Sequence, residues 1–179
     1  MENELESLKF PIGKYKAILD FNFSRTIENI KTLESFSDDL RKSVKGLDKT
    51  DLKKSYRNGG MNIAQIIHHF CDTHTYAFLR TKHTLLEDNP NVKMYDVAEF
   101  LTTPDSNVLD VKDSLNVIEG VHAKWVSLLK TLSENDLKKT YYHSSRDKNI
   151  ILHEHVGMYA WHTKHHIMHI EIAKKNIKQ

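Results

Sequence analysis

The chain has little of what disulfide frameworks, membrane spans and secretory signals require. Its 179 residues include one cysteine, Cys71, so no disulfide can form within the chain and a reducing compartment is indicated. No uninterrupted apolar run approaches the length of a membrane-spanning helix. The amino terminus is acidic, where a secretory signal would be basic and then apolar. We therefore expect a cytoplasmic protein that does not enter a membrane.

The chain also lacks a strong excess of charge of either sign. It has 26 Lys and Arg against 24 Asp and Glu, a formal net charge of +2, and both signs are scattered along the sequence. A nucleic-acid partner would require a basic patch or stripe. We therefore expect a small-molecule substrate and no nucleic acid.

Glycine and proline are scarce, with 6 and 3 residues, and the apolar residues recur at spacings of three and four. This pattern predicts an all-helical protein, and the length suits one domain over residues 1–179. Phe10-Pro11-Ile12-Gly13 predicts an extended lead-in. A crossover from Glu87 to Asp110 includes a short helix at Val97 to Leu101. The long helices are predicted at about 24–45, from Asn62 through Phe78, at about 111–132 and at about 151–174, which suggests a four-helix bundle.

Twelve histidines are present, and seven of them form two clusters on predicted helices. Imidazole is the commonest ligand for zinc-like metals, and histidines four apart on a helix can bind one ion from the same face. A lone histidine is more often a hydrogen-bonded core or surface residue, but several half-buried imidazoles together favour a metal site. The clusters are His68, His69 and His74, and His162, His165, His166 and His169.

Helical periodicity favours some of these histidines as ligands over others. At 100 degrees per residue, His162 and His166 lie nearer the centre of the apolar face than His165 and His169. In the other cluster the periodicity alone favours His74, with His69 at the edge of the apolar face. The third ligand therefore stays open at this point.

The last helix lacks the general base of the His-Glu-x-x-His zinc proteases, because Thr163 occupies the glutamate position. A general base would have to come from elsewhere in the chain. Candidates by residue type are Asp72, Glu119 and Glu154, each of which is more often a solvated charge or a helix-end group.

Three basic side chains could hold an acidic thiol cofactor. They are Arg57, Arg80 and Lys82. Their ordinary interpretation is solvated surface charge, so the sequence does not select them as site residues.

Five segments, in order along the chain, carry a resemblance to a known family. They are Phe10-Pro11-Ile12-Gly13-Lys14, the stretch from Tyr56 to His69, Glu87-Asp88-Asn89-Pro90, His122 with Trp125, and the stretch from Tyr159 to Ile170. Together they resemble the DinB/YfiT-like family of metal-dependent enzymes. The YfiT branch is described as metal-dependent hydrolases and is related to the bacillithiol S-transferases.

The resemblance implies a four-helix bundle, a homodimer, and three histidines on one divalent ion, zinc or nickel. The family's ligand on the second helix stands eight residues after a motif tryptophan. Met61 occupies the tryptophan position here, and eight residues on is His69. The ligands of the last helix fall on His162 and His166, so the resemblance implies His69 rather than His74.

Three neutral imidazoles leave open positions on an ion, which is typical of catalytic rather than closed structural sites. A metal-dependent hydrolase would use metal-bound water at such a position. A thiol S-transferase would bind the thiolate of bacillithiol or a similar co-substrate there. The missing glutamate favours the transferase and the branch description favours the hydrolase; the non-catalytic alternative is a metal-stabilised helical binding module.

Overall fold

The computed structural model describes residues 2–92 and 96–176. Within these ranges the protein is mostly helical, with four long helices, as predicted. The predicted crossover includes residues 93–95, which lie outside the described residues. In chain order the elements are α1 (Glu2–Lys9), α2 (Phe23–Val44), α3 (Lys49–Leu52), α4 (Ile63–Leu86), α5 (Val97–Phe100), a 3₁₀ turn (Pro104–Asn107), α6 (Lys112–Leu129), α7 (Glu134–Leu137), β1 (Thr140–His143), a second 3₁₀ turn (Ser144–Arg146), β2 (Lys148–Ile151) and α8 (Leu152–Lys175).

The four long helices close into a ring of neighbours. Helix α2 packs against α6 and α8, and α4 packs against the same two helices, so α2 and α4 lie diagonally across the bundle. Phe36 of α2 and Phe70 of α4 meet in the centre with ring centroids 4.6 Å apart. Both rings are almost completely buried. The four-helix bundle is therefore confirmed.

Local capping explains where α4 begins. The Asn62 side chain accepts from the backbone N–H of Gln65 at 2.8 Å, and the Gln65 side chain accepts from the backbone N–H of Asn62 at 3.0 Å. This reciprocal pair satisfies two amide groups that a helix start leaves unpaired. Just before it, Gly59 has a φ of +66°, which glycine adopts without strain. The predicted break before α4 is confirmed.

Two features near the chain's helices differ from the sequence-based expectations. Residues Phe10 to Gly13 form a tight turn after α1, because the Gly13 amide donates to the Phe10 carbonyl at 2.9 Å, so the extended lead-in is wrong. The antiparallel hairpin β1–β2 was also not expected; it pairs Thr140 with Ile151 and His143 with Lys148. The hairpin leads directly into α8.

No helix in the described ranges is both long enough and apolar enough to cross a membrane.

Candidate metal centre

Two long helices bring three histidines to one point inside the bundle. His69 lies on α4, and His162 and His166 lie one turn apart on α8. The Nε2 atoms of His69 and His162 are 3.1 Å apart. The centroid of the His166 ring lies 4.9 Å from that of His69 and 4.6 Å from that of His162. One ligand nitrogen from each ring falls within 4.8 Å of the other two.

This spacing fits the donor set of one divalent ion. With metal–nitrogen bonds of about 2.0–2.1 Å and tetrahedral angles, two ligand nitrogens on zinc stand about 3.3 Å apart. The measured 3.1 Å between the Nε2 atoms of His69 and His162 is close to that value. The nitrogens of His69 and His162 therefore fit one metal ion directly, and a nitrogen of His166 lies within 4.8 Å of both.

The three imidazoles are neutral at pH 7. Burial lowers the pKa of His69 to about 4, and it lowers the pKa of His162 and of His166 well below the usual value. The neighbouring histidines lower the pKa of His162 and His166 further, since positive charges so close would repel. Neutral imidazole is the form that binds metals, so the ligand form is present at physiological pH.

Hydrogen bonds to the far nitrogens assign the tautomers of two of the three rings. The Leu8 carbonyl can only accept, so His169 donates to it through Nε2 at 3.1 Å. The neutral His169 ring then has a bare Nδ1, which accepts from Nδ1–H of His166 at 3.1 Å. This assignment leaves the Nε2 lone pair of His166 for a metal.

A longer chain of hydrogen bonds, which involves all four long helices, assigns the tautomer of His162. The Leu33 carbonyl of α2 accepts from Nδ1–H of His122 on α6 at 2.8 Å. Nε2 of His122 accepts from Nδ1–H of His74 on α4 at 2.7 Å, and Nε2 of His74 accepts from Nδ1–H of His162 on α8 at 3.0 Å. We call this series, from Leu33 through His122 and His74 to His162, the histidine relay. It leaves the Nε2 lone pair of His162 for a metal.

The third ring, that of His69, has a hydrogen-bond partner that is compatible with either tautomer. The Thr73 hydroxyl lies 3.2 Å from Nδ1 of His69 and can donate or accept. When Thr73 accepts, Nδ1 carries the proton and Nε2 is the bare atom. All three Nε2 atoms can then face one ion together.

A second histidine group is also brought together, but its nitrogens are more heavily engaged. His165, His166 and His169 offer ligand atoms within 4.8 Å of one another. Both ring nitrogens of His169 take part in the hydrogen bonds just described. The first group is therefore the better metal candidate.

The candidate metal centre borders a cleft of about 460 Å³, a size typical of small-molecule sites. Two of the candidate ligands, His69 and His162, form part of its wall. Its described lining contains no Asp or Glu. The lining residues are Tyr15, His69, Thr73, Arg80, Val97, His143, Ser145, Arg146, Met158, Tyr159, Trp161 and His162.

The general-base candidates from the sequence lie elsewhere. Glu119 is exposed and pairs with Arg41 at 2.6 Å. Glu154 is buried, pairs with Lys148 at 3.3 Å and lines a separate small cavity. Asp72 is half-buried, and desolvation followed by the charge of Asp105 raises its pKa, but it does not line the cleft.

Of the three basic candidates from the sequence, Arg80 lines the cleft, whereas Arg57 and Lys82 lie elsewhere. Arg80 is only 4% exposed and lines the cleft, so its interpretation as solvated surface charge is wrong. Arg57 donates to the Asn58 carbonyl, and Lys82 is exposed with its amine over the Phe78 ring. Neither Arg57 nor Lys82 lines the cleft.

Comparison with known proteins places the chain in a family. The model of the DinB superfamily matches residues 32–170, which include all three candidate ligands. The chain belongs to the DinB superfamily. A Geobacillus kaustophilus protein named "Putative metal-dependent hydrolase" is 34% identical over 171 residues, covering 96% of each chain.

Bacillus subtilis YfiT, also named "Putative metal-dependent hydrolase", is 32% identical over 170 residues, covering 94% of this chain and 96% of YfiT. The YfiT structure superposes with a TM-score of 0.93 at 31% identity over 96% of this chain and 98% of that one, and it is described as having an unusual four-helix bundle topology. A mycothiol-dependent maleylpyruvate isomerase matches with a TM-score of 0.66 at 13% identity, covering 84% of this chain and 63% of that one, which shows the fold alone.

This DinB superfamily chain contains site features that sequence reasoning did not identify. His143 was not a candidate, yet it lies in β1 and lines the cleft, with no hydrogen-bond partner for its buried Nδ1. His74 was favoured by periodicity as a ligand, and the structure instead places it one step behind His162 in the histidine relay. Periodicity indicated that His74 is buried but could not show that it bonds to His162, a candidate ligand.

Proposed function

We propose that this chain is a metal-dependent enzyme that holds one divalent ion, zinc first and nickel second, with His69, His162 and His166. The observation that carries the proposal is the convergence of three imidazoles, from two helices, beside a cleft large enough for a small molecule. An ion with three neutral ligands and open positions is typical of catalysis. A purely structural site would be closed by a fourth protein ligand.

Hydrolysis is the first candidate reaction, because the relatives described above are named as hydrolases. A bound divalent ion would supply Lewis acidity and lower the pKa of a bound water toward about 7. The chain's own contribution is to orient the ligands through their far nitrogens and to bind the substrate in the cleft. His143 also lines the cleft, where burial, with the charges of Arg146 and Arg80, lowers its pKa to about 4, so it is neutral at pH 7 and a weak proton acceptor.

Thiol transfer is the second candidate, and one observation favours it. The described cleft lining has no carboxylate, and Thr163, at the position of the protease glutamate, donates its hydroxyl to the Ala160 carbonyl at 2.8 Å. A metal-activated thiolate needs no general base for its attack on an electrophile. Bacillithiol is the proposed co-substrate in this case.

Metal content tests the site. Protein purified without added metal should contain about one divalent ion per chain, and replacing His69, His162 or His166 with alanine should remove it. His68→Ala is the matched control, since His68 is a buried neighbour of His69 whose nitrogens bond to Ser114 and to the Val108 carbonyl instead. Full metal retention in all three ligand variants would contradict the assignment.

Paired assays separate the two reactions. Metal-loaded protein is incubated with activated esters and amides, and separately with bacillithiol plus a halogenated or epoxide electrophile. Turnover of the esters or amides that His69→Ala abolishes supports hydrolysis. Metal-dependent turnover only with the thiol rejects hydrolysis, and turnover in neither assay supports the non-catalytic binding module.

A further inference from the structure

A small cavity of about 100 Å³ lies beside the cleft, and one side chain borders both spaces. The lining of the small cavity includes Asn22, Asn29 and Glu154. The Glu154 side chain is only 3% exposed, and its Oε2 has no hydrogen-bond partner among the described residues. Within the described part of the chain, Tyr15 alone lines both the small cavity and the cleft. Tyr15 therefore lies between the two spaces.

The Tyr15 side chain is held against α8 at two points. Its hydroxyl donates to the Glu154 carbonyl at 3.1 Å, on the side of the small cavity. Its ring packs against Trp161, a cleft residue, with ring centroids 5.8 Å apart. Glu154 and Trp161 are seven residues apart on α8, which puts them on the same helix face. The Tyr15 side chain thus lies across that face as a partition.

A glycine on α8 leaves room for this partition. Gly157 lies between Glu154 and Trp161 in the helix and lines the small cavity. A Cβ atom at this position would be 3.2 Å from Nδ2 of Asn29 and 3.5 Å from the Tyr15 hydroxyl oxygen. A large side chain at position 157 would therefore fill the space beside Tyr15.

The partition lies on the path that a long ligand would follow along α8. His162, a candidate metal ligand, directly follows Trp161. Glu154 lies eight residues before His162, about 12 Å away along the helix axis. A molecule that is held at the histidine centre and extends toward the start of α8 therefore meets the Tyr15 ring before it reaches the small cavity.

We propose that Tyr15 is a specificity-determining residue that limits the length of a substrate lying along α8 from the histidine centre. A smaller side chain at position 15 would join the cleft to the small cavity and admit longer molecules with a hydrogen-bonding end. The inference rests on the proposed function for the position of the reactive end, and on the contacts of Tyr15 for the length limit.

Hydroxyl-ended thiols of two lengths test the limit, because a thiol group binds zinc while the length of the chain varies. The probes are 3-mercaptopropanol and 8-mercaptooctanol. Calorimetry measures their binding to the zinc-loaded and to the chelator-treated protein. Tyr15→Ala should increase the affinity for the long thiol relative to the short one by at least about fourfold, the gain expected when one more methylene group is buried.

Further variants show whether the Tyr15 ring causes the limit. Tyr15→Phe keeps the ring and loses the hydrogen bond to the Glu154 carbonyl, so its preference between the two thiols should match that of the wild type. Tyr15→Ala combined with Gly157→Leu should lose the gain if circular dichroism shows the double variant folded, because leucine refills the space. Ile12→Ala, at an exposed position of the same segment that lines neither space, should leave the preference unchanged.

The outcomes separate this inference from the proposed function. An unchanged preference in Tyr15→Ala, an equal gain in Ile12→Ala, a gain that the folded double variant retains, or no binding of either thiol would overturn the role of Tyr15. Zinc-dependent binding of the thiols without an effect of Tyr15 would leave the metal centre standing. A gain in Tyr15→Ala that persists without zinc would support the length limit and count against the metal centre.

Discussion

At the scale of single residues, the candidate ligand histidines depend on the residues that hydrogen-bond to their far nitrogens. His162 presents its Nε2 lone pair because Nε2 of His74 accepts a hydrogen bond from Nδ1–H of His162, and His74 is in turn oriented by His122. Such partners behind the ligands fix ring orientation and raise ligand basicity. The histidine relay is thus part of the candidate site even though only its last ring would touch a metal.

Replacing His122 with glutamine tests this dependence. We expect the metal dissociation constant to rise by about 10- to 100-fold, because the glutamine amide can donate to His74 as well as accept from it and so no longer sets its tautomer. Competition with a chromophoric chelator measures the constant. His155→Gln is the control, since His155 is fully buried but bonds to Tyr141 and the Ala77 carbonyl; an equal loss in this control would refute the specific role of His122.

At the scale of elements, the start of α4 fixes the position of His69 two turns further on. The reciprocal bonds between Asn62 and Gln65 define that start. Replacing Asn62 with alanine should lower the free energy of unfolding by about 1 kcal/mol, because the half-buried amide of Gln65 loses its acceptor. Urea denaturation measures the change. Asn62→Asp, which keeps the acceptor, should stay close to the wild-type value, and an unchanged alanine variant would contradict the capping argument.

The long helices could be predicted from the sequence, because each repeats apolar residues over many turns. The predicted helix at about 24–45 is found at Phe23–Val44, and the one at about 151–174 is found at Leu152–Lys175. The hairpin β1–β2 was missed because its strands have only four residues each, too few for an alternation to be recognised. His143 was missed with it.

The candidate site was only partly accessible from periodicity. Helical arithmetic indicated His162 and His166 on α8, and their convergence with His69 is what the structure adds. Periodicity selects buried positions, and His74 and His69 are both buried on α4, so burial alone could not separate them. Which histidine of α4 contacts α8 depends on how the two helices cross. The sequence of one helix alone does not determine that crossing.

At the scale of the whole molecule, the number of buried neutral histidines makes stability depend on pH. Burial lowers the pKa of His155 to about 3 and that of His122 to about 4, from 6.5. Because the folded pKa values are lowered, the unfolded chain takes up protons first as the pH falls below about 6.5. The stabilising contribution of these buried neutral histidines is complete well above pH 6.5 and is lost progressively as the pH falls below it.

The metal-free protein should therefore be less stable at pH 5.5 than at pH 7.5, by about 1.3 kcal/mol for each such histidine. Urea unfolding at the two pH values measures the difference. His155→Gln should show a smaller difference than wild type, because it removes one of the titrating groups. A free energy of unfolding that is flat, or that increases toward pH 5.5, would contradict the lowered pKa values.

A metal bound by residues of α4 and α8 would link two long helices and stabilise the whole bundle. At a free metal concentration about 100 times the dissociation constant, the stabilisation should be about 2.7 kcal/mol. Thermal unfolding with and without a chelator measures it, and His166→Ala should respond little to the chelator.

We also expect one cooperative unfolding transition for the proposed single domain. Light scattering should test the proposed homodimer. A second transition or a monomer would refute these two expectations.

The histidine relay cannot transfer a proton along its length in either direction. Its far end is the Leu33 carbonyl, which accepts a hydrogen bond from Nδ1–H of His122 and has no proton to donate. Shifting every proton one step along the rings would leave that carbonyl facing a bare nitrogen, so the series holds a single arrangement. A proton that His162 takes up or releases in the proposed reaction would therefore have to move on the Nε2 side of that ring.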